Sequence, residues 1–551
     1  MSTTKRRTTL AGRAAGRLRV FVACVGVAAL ALPPTAARAA DDAQQTLWVD
    51  TKDADGTRIS TAEITIHPAA EPRPALRYRL LPAEEDLVDG NAAIHYLKAM
   101  GFVDNDYARK QIHELLSKAL EEETRQGKSW YWPYWPPEYD TRAAALPLAQ
   151  VREFLALHHS QVPLLAEAAR RRHCDWDRRI ADTDNPLAYV LSEIQESRGL
   201  ARVESLRCRL AIAEGRIDDA LAILRRQFML ARHLGQDELV VSGLVGLAVA
   251  SMATSDALEL AQLPDAPNLY WALAAMPRPF IDASRMLASE RAMLYLVMKS
   301  LREVDETPRP VEYWQAFIDR DLRSLARAQP YYGGGPLPSF GGDWGFGHYE
   351  PDDPSFHEPG EIFRLRAAAF IAAAYPGARR YLAEECGLPT ERLDALPTAQ
   401  VVFLAMRRFY DASNDELAKW EATPYWIAAP KLAAARDKIE ADAKRIGPAT
   451  APATGMGSVM LGPRSAFARC EQQLAILQTV EALRLHAAIR GGLPESLAEL
   501  PVPAPLDPAT GQPIAYSVAG NRAVLEPGQI PAGYRRRVIV HLAPPKPAPS
   551  P

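Results

Sequence analysis

From Asn91 to Ile489 the apolar side chains return every three or four residues, whereas strict alternation is confined to short stretches near the two ends. That distribution restricts the middle of the chain to helices packed on helices. A 3.6-residue period gathers apolar groups on one face of a helix, but would scatter them over both faces of a strand. The clearest unit runs from Arg202 to Arg232: Leu206, Leu210, Ile217, Leu221, Leu224, Phe228 and Ala231 keep the spacing, and Gly215 breaks it once. Further helices are predicted at Ile362 to Tyr375, Ala399 to Trp420, Lys431 to Ile446 and Ser465 to Ile489. Leu239 to Ser255 carries no charge and is just short of a membrane span. Flanked by Asp237, Glu238 and Asp256, it is read as a helix buried at the centre of its domain.

The ends read differently. Leu47 to Val49 and Ile59 to Ile66 are predicted strands around an Asp55-Gly56 turn. Asp53 to Gly56 starts like a calcium loop, but Thr51 and Ala62 occupy positions where ligands belong, so the turn is preferred. Near the C-terminus, Ile514 to Val518 and Ala523 to Leu525 flank a Gly520-Asn521 turn, and Arg535 to Leu542 supplies another strand. The expected fold is mainly α: irregular stacked helical hairpins, α-solenoid-like, with a short extended N-terminal region and a small C-terminal β-unit. The predicted organisation is a signal peptide (1–40), an extended region (41–90), a helical-hairpin domain (91–330) and a Gly/Pro/aromatic loop (331–360). A second helical region (361–500), the β-unit (501–542) and a Pro-rich tail (543–551) follow.

The first forty residues carry an address. Lys5, Arg6, Arg7, Arg13, Arg17 and Arg19 precede an apolar run from Val20 to Leu32, and Ala37-Arg38-Ala39 supplies a signal-peptidase site. A cleaved signal and a periplasmic or secreted mature protein, without stable membrane insertion, are expected. The whole chain has 64 Lys+Arg, 67 Asp+Glu and a net charge of −3. Losing residues 1–40 removes only basic groups, which leaves about −10. An acidic balance offers no attraction to phosphate backbones, so nucleic acid is not an expected partner. Beyond the signal remain Cys174, Cys208, Cys386 and Cys470, in a compartment that permits disulfides. Three pairings are open, beside buried free thiols.

No HExxH, GxSxG or phosphate-loop signature is present, and Gly333 to Gly335 lacks the following lysine. His158-His159 has no carboxylate at metalloprotease spacing. The densest set of candidate ligands, His348, Glu350, Asp352, Asp353, His357, Glu358 and Glu361, matches no named spacing and reads as a solvated acidic loop. No metal or cofactor is expected. The candidate binding residues are aromatic: Trp130, Trp132, Tyr134 and Trp135 in a proline-spaced cluster, and Trp344 in the glycine-rich loop. Such rings stack on sugars, cradle extended peptides, or simply fill a gap between helices.

Three resemblances bear on the chain. Gly215, Ile217, Asp218, Asp219, Ala220 and Leu224 resemble the turn and second helix of a tetratricopeptide unit (202–232), with no second copy. Gly492 to Leu497 and Leu506-Asp507-Pro508-Ala509-Thr510-Gly511-Gln512-Pro513 make residues 470–526 similar to the segment after the long helix of type II secretion pseudopilins. The chain departs from that pattern in its amphipathic preceding helix, with Arg469, Glu471 and Glu481, and in lacking a calcium loop after the hairpin. Most of the mature chain resembles a group of exported bacterial α-helical proteins with no assigned activity. The shared strings are Ala75 to Pro82, Asp265 to Leu273 and Val480 to Leu485. The expected role is a binding or scaffolding module for an envelope protein or glycan. The alternative is an envelope hydrolase acting on polysaccharide or peptide through the carboxylates and histidines of residues 331–361.

Overall fold

The computed structural model describes residues 46–53, 56–101, 135, 137–182, 192–322, 360–451, 461–530 and 535–544. It is mainly helical, with fourteen α-helices among the described residues and most of the described strands near the two ends. In chain order the elements begin with β1 (Trp48–Lys52), β2 (Arg58–Ile66), β3 (Val88–Asn91) and α1 (Ala93–Met100). After α2 (Leu148–Leu157), α3 (Gln161–Ala169) and β4 (Arg171–His173) comes a run of longer helices, α4 (Ser192–Ala213), α5 (Ile217–Leu234) and α6 (Val240–Leu260). Next are α7 (Tyr270–Ala274), α8 (Ser284–Val297), α9 (Val311–Phe317), α10 (Gly360–Glu384), α11 (Thr390–Asp394), α12 (Thr398–Ala418) and α13 (Tyr425–Ile446). The long helix α14 (Leu461–Arg490) leads into β5 (Ala515–Ala519), β6 (Arg522–Glu526) and β7 (Arg535–Leu542).

The α4–α5 hairpin follows from its sequence. Gly215 turns the chain with a φ of +70°, a conformation that costs glycine little. Asp218 and Asp219 then occupy the first turn of α5, and Arg232 its last, both complementing the helix dipole. Leu206, Leu210, Leu221, Leu224, Phe228 and Ala231 are buried as their spacing requires. The uncharged helix α6 is long and apolar enough to cross a membrane, yet it is mostly buried against the helices around it. Gly246 permits that contact, because a Cβ there would stand 2.6 Å from the Ala231 carbonyl oxygen of α5.

Four features depart from the organisation read in the sequence. The N-terminal and C-terminal strands are not separate units but form one five-stranded sheet of order β1-β2-β7-β6-β5, in which β2 runs parallel to β7. Ala62, Ile64, Ile66, Val538, Val540 and Leu525 bury one sheet face in the core that holds α4, α5, α6 and α14. The second core also breaks the expected boundary: it begins within α8 at Leu294 and takes in α9, α10 and α12, while α14 returns to the first core. A small parallel pair, β3 with β4, was not expected from the pattern. Helix α10 also continues past its expected end, running through Pro376 to Glu384.

Candidate functional site

Of the aromatic candidates, Trp130, Trp132, Tyr134 and Trp344 lie outside the described residues, as do His348, Glu350, Asp352, Asp353, His357 and Glu358. Trp135 is described, and its surroundings define the most elaborate polar junction near a predicted site residue. The residue is 9% exposed. The indole Nε1 donates to Asp140 Oδ1 at 2.7 Å, the ring edges meet Tyr139 and Phe154, and the Arg202 guanidinium stands 4.5 Å from the ring centre. Arg202 also reaches Asp140 Oδ2 at 3.4 Å. Trp135 therefore packs against α4 and the turn that carries Tyr139 and Asp140.

Beneath that segment α4, α5 and α6 turn polar groups toward one another. Ser205 and Gln227 donate to the two oxygens of Asp256 at 2.9 and 2.8 Å, and Arg209 stands 3.8 Å away. Arg209 also donates to the Thr141 carbonyl, and Arg142 reaches Gln262 at 2.7 Å and Glu259 at 3.7 Å. Glu204 accepts from Arg207 and from Arg226 across the hairpin. Burial pushes the Asp256 carboxyl up to about 7 against the pull of Arg209, Gln227 and Ser205, and burial likewise raises Glu259. Asp256 is 2% exposed, so its carboxyl lies inside the helix stack. The sequence pointed only obliquely at this cluster. Asp256 ended the uncharged run, but nothing local paired it with Ser205 and Gln227.

A second polar centre joins distant segments. Arg484 on α14 lies wholly buried beside Glu481, whose two carboxylate oxygens it meets at 2.9 Å. It also donates to the carbonyls of His67, Pro267 and Ala266. Glu481 accepts the Leu269 N–H at 3.0 Å, and Asn268 donates to the Glu481 carbonyl at 2.8 Å. Two of the three strings behind the resemblance to exported helical proteins, Asp265 to Leu273 and Val480 to Leu485, thus meet in one bonded cluster.

A third centre buries His233 between the Tyr96 hydroxyl, 2.8 Å from Nδ1, and the Arg171 carbonyl, 3.0 Å from Nε2. Those partners suit a neutral ring that accepts at Nδ1 and donates at Nε2. Burial lowers His233 to about 4. The motif Asp507 to Pro513 is a bonded turn: the Asp507 carboxylate accepts the N–H groups of Ala509 and Gly528 and the Gln472 amide. Cys174, Cys208, Cys386 and Cys470 are all free thiols, so none of the three open pairings is formed. Among the described residues no group of three or more His, Cys, Asp and Glu is arranged to hold a metal. Comparison with known proteins finds no family model, no curated protein and no solved structure that matches the chain.

Proposed function

We propose that this chain is an exported protein of the cell envelope that serves as a binding or scaffolding module, with an envelope protein or glycan as its partner. The observation that carries this reading is how the charged interior is used. Glu481 with Arg484, and Asp256 with Arg209, Ser205 and Gln227, each brace separate parts of the chain and are sealed from substrate. A framework braced in this way suits holding a surface in place. The export signature of residues 1–40 supports the location, and the likeness of residues 470–526 to pseudopilins supports an envelope setting. Trp135 supports a place for the contact. Trp135 itself is held against Arg202 of α4, and in the sequence it directly follows the run that carries Trp130, Trp132 and Tyr134.

The test is in-cell crosslinking and capture of the mature protein, with protein and glycan partners identified in parallel. The expected result is one saturable partner, lost in Trp132→Ala while the melting temperature is unchanged. Turnover of purified envelope polysaccharide or peptide, abolished by His348→Ala or His357→Ala, would replace this reading with hydrolysis. Processing is checked separately: the mature chain is expected to begin near Ala40 or Asp41 and to be released by osmotic shock. An uncut chain in the membrane pellet would overturn the assigned location.

A further inference from the structure

We propose that β5 is a self-association edge, at which two copies of this chain pair their β5 strands antiparallel about a two-fold axis at Ser517. The sheet order leaves β1 and β5 at its two edges, and they are protected unequally. On β1 stand Asp50 and Lys52, with Asp50 bonded to Arg58, and charge on an edge strand discourages pairing. On β5 the sequence is Ala515-Tyr516-Ser517-Val518-Ala519, which has neither charge nor proline.

The hairpin decides which backbone groups of β5 face outward. Ala519 pairs with Arg522 across a two-residue loop whose first member, Gly520, has a φ of +59°. Residues flanking such a loop form a hydrogen-bonded pair, and bonded pairs alternate along an antiparallel ladder. Ala519, Ser517 and Ala515 therefore bond to β6, while the N–H and C=O groups of Tyr516 and Val518 point away from it. Among the described residues no backbone hydrogen bond reaches those outward groups. Ala515, Ser517 and Ala519 are exposed, and Leu506, bridged to Pro513 at the entrance to β5, is 52% exposed.

A second copy supplies the matching edge. With Ser517 opposite its symmetry mate, Tyr516 stands opposite Val518 in both directions, and the outward groups meet in about four hydrogen bonds. The facing side chains are Tyr with Val, Ser with Ser and Ala with Ala, so no like charges oppose one another. A neutral, self-complementary edge favours its own copy over a charged partner. Five residues span only about 17 Å, and the contact falls well short of a standard interface of roughly 1,600 Å². The dimer is accordingly weak and concentration-dependent. This inference does not depend on the envelope partner proposed above.

The experiment uses the mature chain in a Cys386→Ser background, which removes the half-buried native thiol. Sedimentation velocity is expected to show monomer giving way to dimer as concentration rises through the high-micromolar range. Ser517→Cys, exposed to dissolved oxygen as the oxidant that takes up the two thiol hydrogens, is expected to form a disulfide linking the two position-517 peptides. The two Cα atoms of a non-bonded antiparallel pair lie about 4.5 Å apart, within disulfide reach. Ser517→Lys, which sets two ammonium groups face to face on an exposed position, is expected to weaken self-association about fivefold without changing the melting temperature. A monomer at every concentration with no position-517 disulfide would overturn the proposal. So would a dimer indifferent to Ser517→Lys, or a monomer whose position-517 thiol crosslinks to a different polypeptide.

Discussion

Arg484 spends its guanidinium on Glu481 and on three backbone carbonyls from two other segments, with no exposed surface left. Arg484→Leu is expected to cost about 3 to 5 kcal/mol in urea unfolding, because Glu481 stays behind as a buried, unpaired charge. Trp135→Ala is expected to cost a comparable 3 to 5 kcal/mol, roughly, through the cavity it leaves, which distinguishes an anchor from an exposed stacking ring. His233 gives a pH dependence. Its folded value of about 4 lies below the unfolded 6.5, so the unfolded chain takes up the proton first. The stability it contributes is whole above pH 6.5 and is lost as pH falls toward 4, roughly 3 kcal/mol across the window. Asp256 works the other way: raised to about 7, it favours the fold in acid and loses that contribution as pH rises from 3.8. His233→Asn is therefore expected to gain on the native protein as pH falls from 6.5 to 4, read as the difference in urea midpoints. The sequence offered Trp135 as a candidate binding ring, and nothing in it singled out His233. Their partners sit on other elements, where no local spacing reveals them.

Helices were legible as elements because each is written in its own few turns. The uncharged run became α6, and the Arg202 to Arg232 pattern became the α4–α5 hairpin. Helix ends were less legible. Pro376 signals a stop by removing a donor, yet α10 passes through it, because packing against α12 and α13 outweighs the lost bond. Gly377 then lies against α13 so closely that a Cβ would stand 1.7 Å from the Ile446 carbonyl oxygen. Since that obstacle is backbone, it cannot swing aside. Gly377→Ala is expected to destabilise the second core by about 3 kcal/mol. Hydrogen exchange should show protection lost in α12 before α4; equal loss in both would mean that the two cores unfold as one.

At the scale of the whole molecule, β7 closes the fold, lying between β2 from one end of the chain and β6 from the other. A chain ending at residue 534 is expected to leave β2 unpaired on one side, so limited proteolysis should cut within residues 46–66 while the second core survives. Survival of the N-terminal hairpin in that truncated chain would show that β7 does not hold it. The sequence by itself determined the fold class, the main helices and the strand segments at both ends, because helical and alternating patterns are local consequences of side-chain direction. Only the tertiary structure decided that the two end segments share a sheet, that α14 belongs to the first core, and that Glu481 and Arg484 meet Ala266, Pro267 and Leu269. Those choices depend on which apolar faces and buried polar groups can satisfy one another across hundreds of residues, and a short window of sequence holds only one side of each such pair.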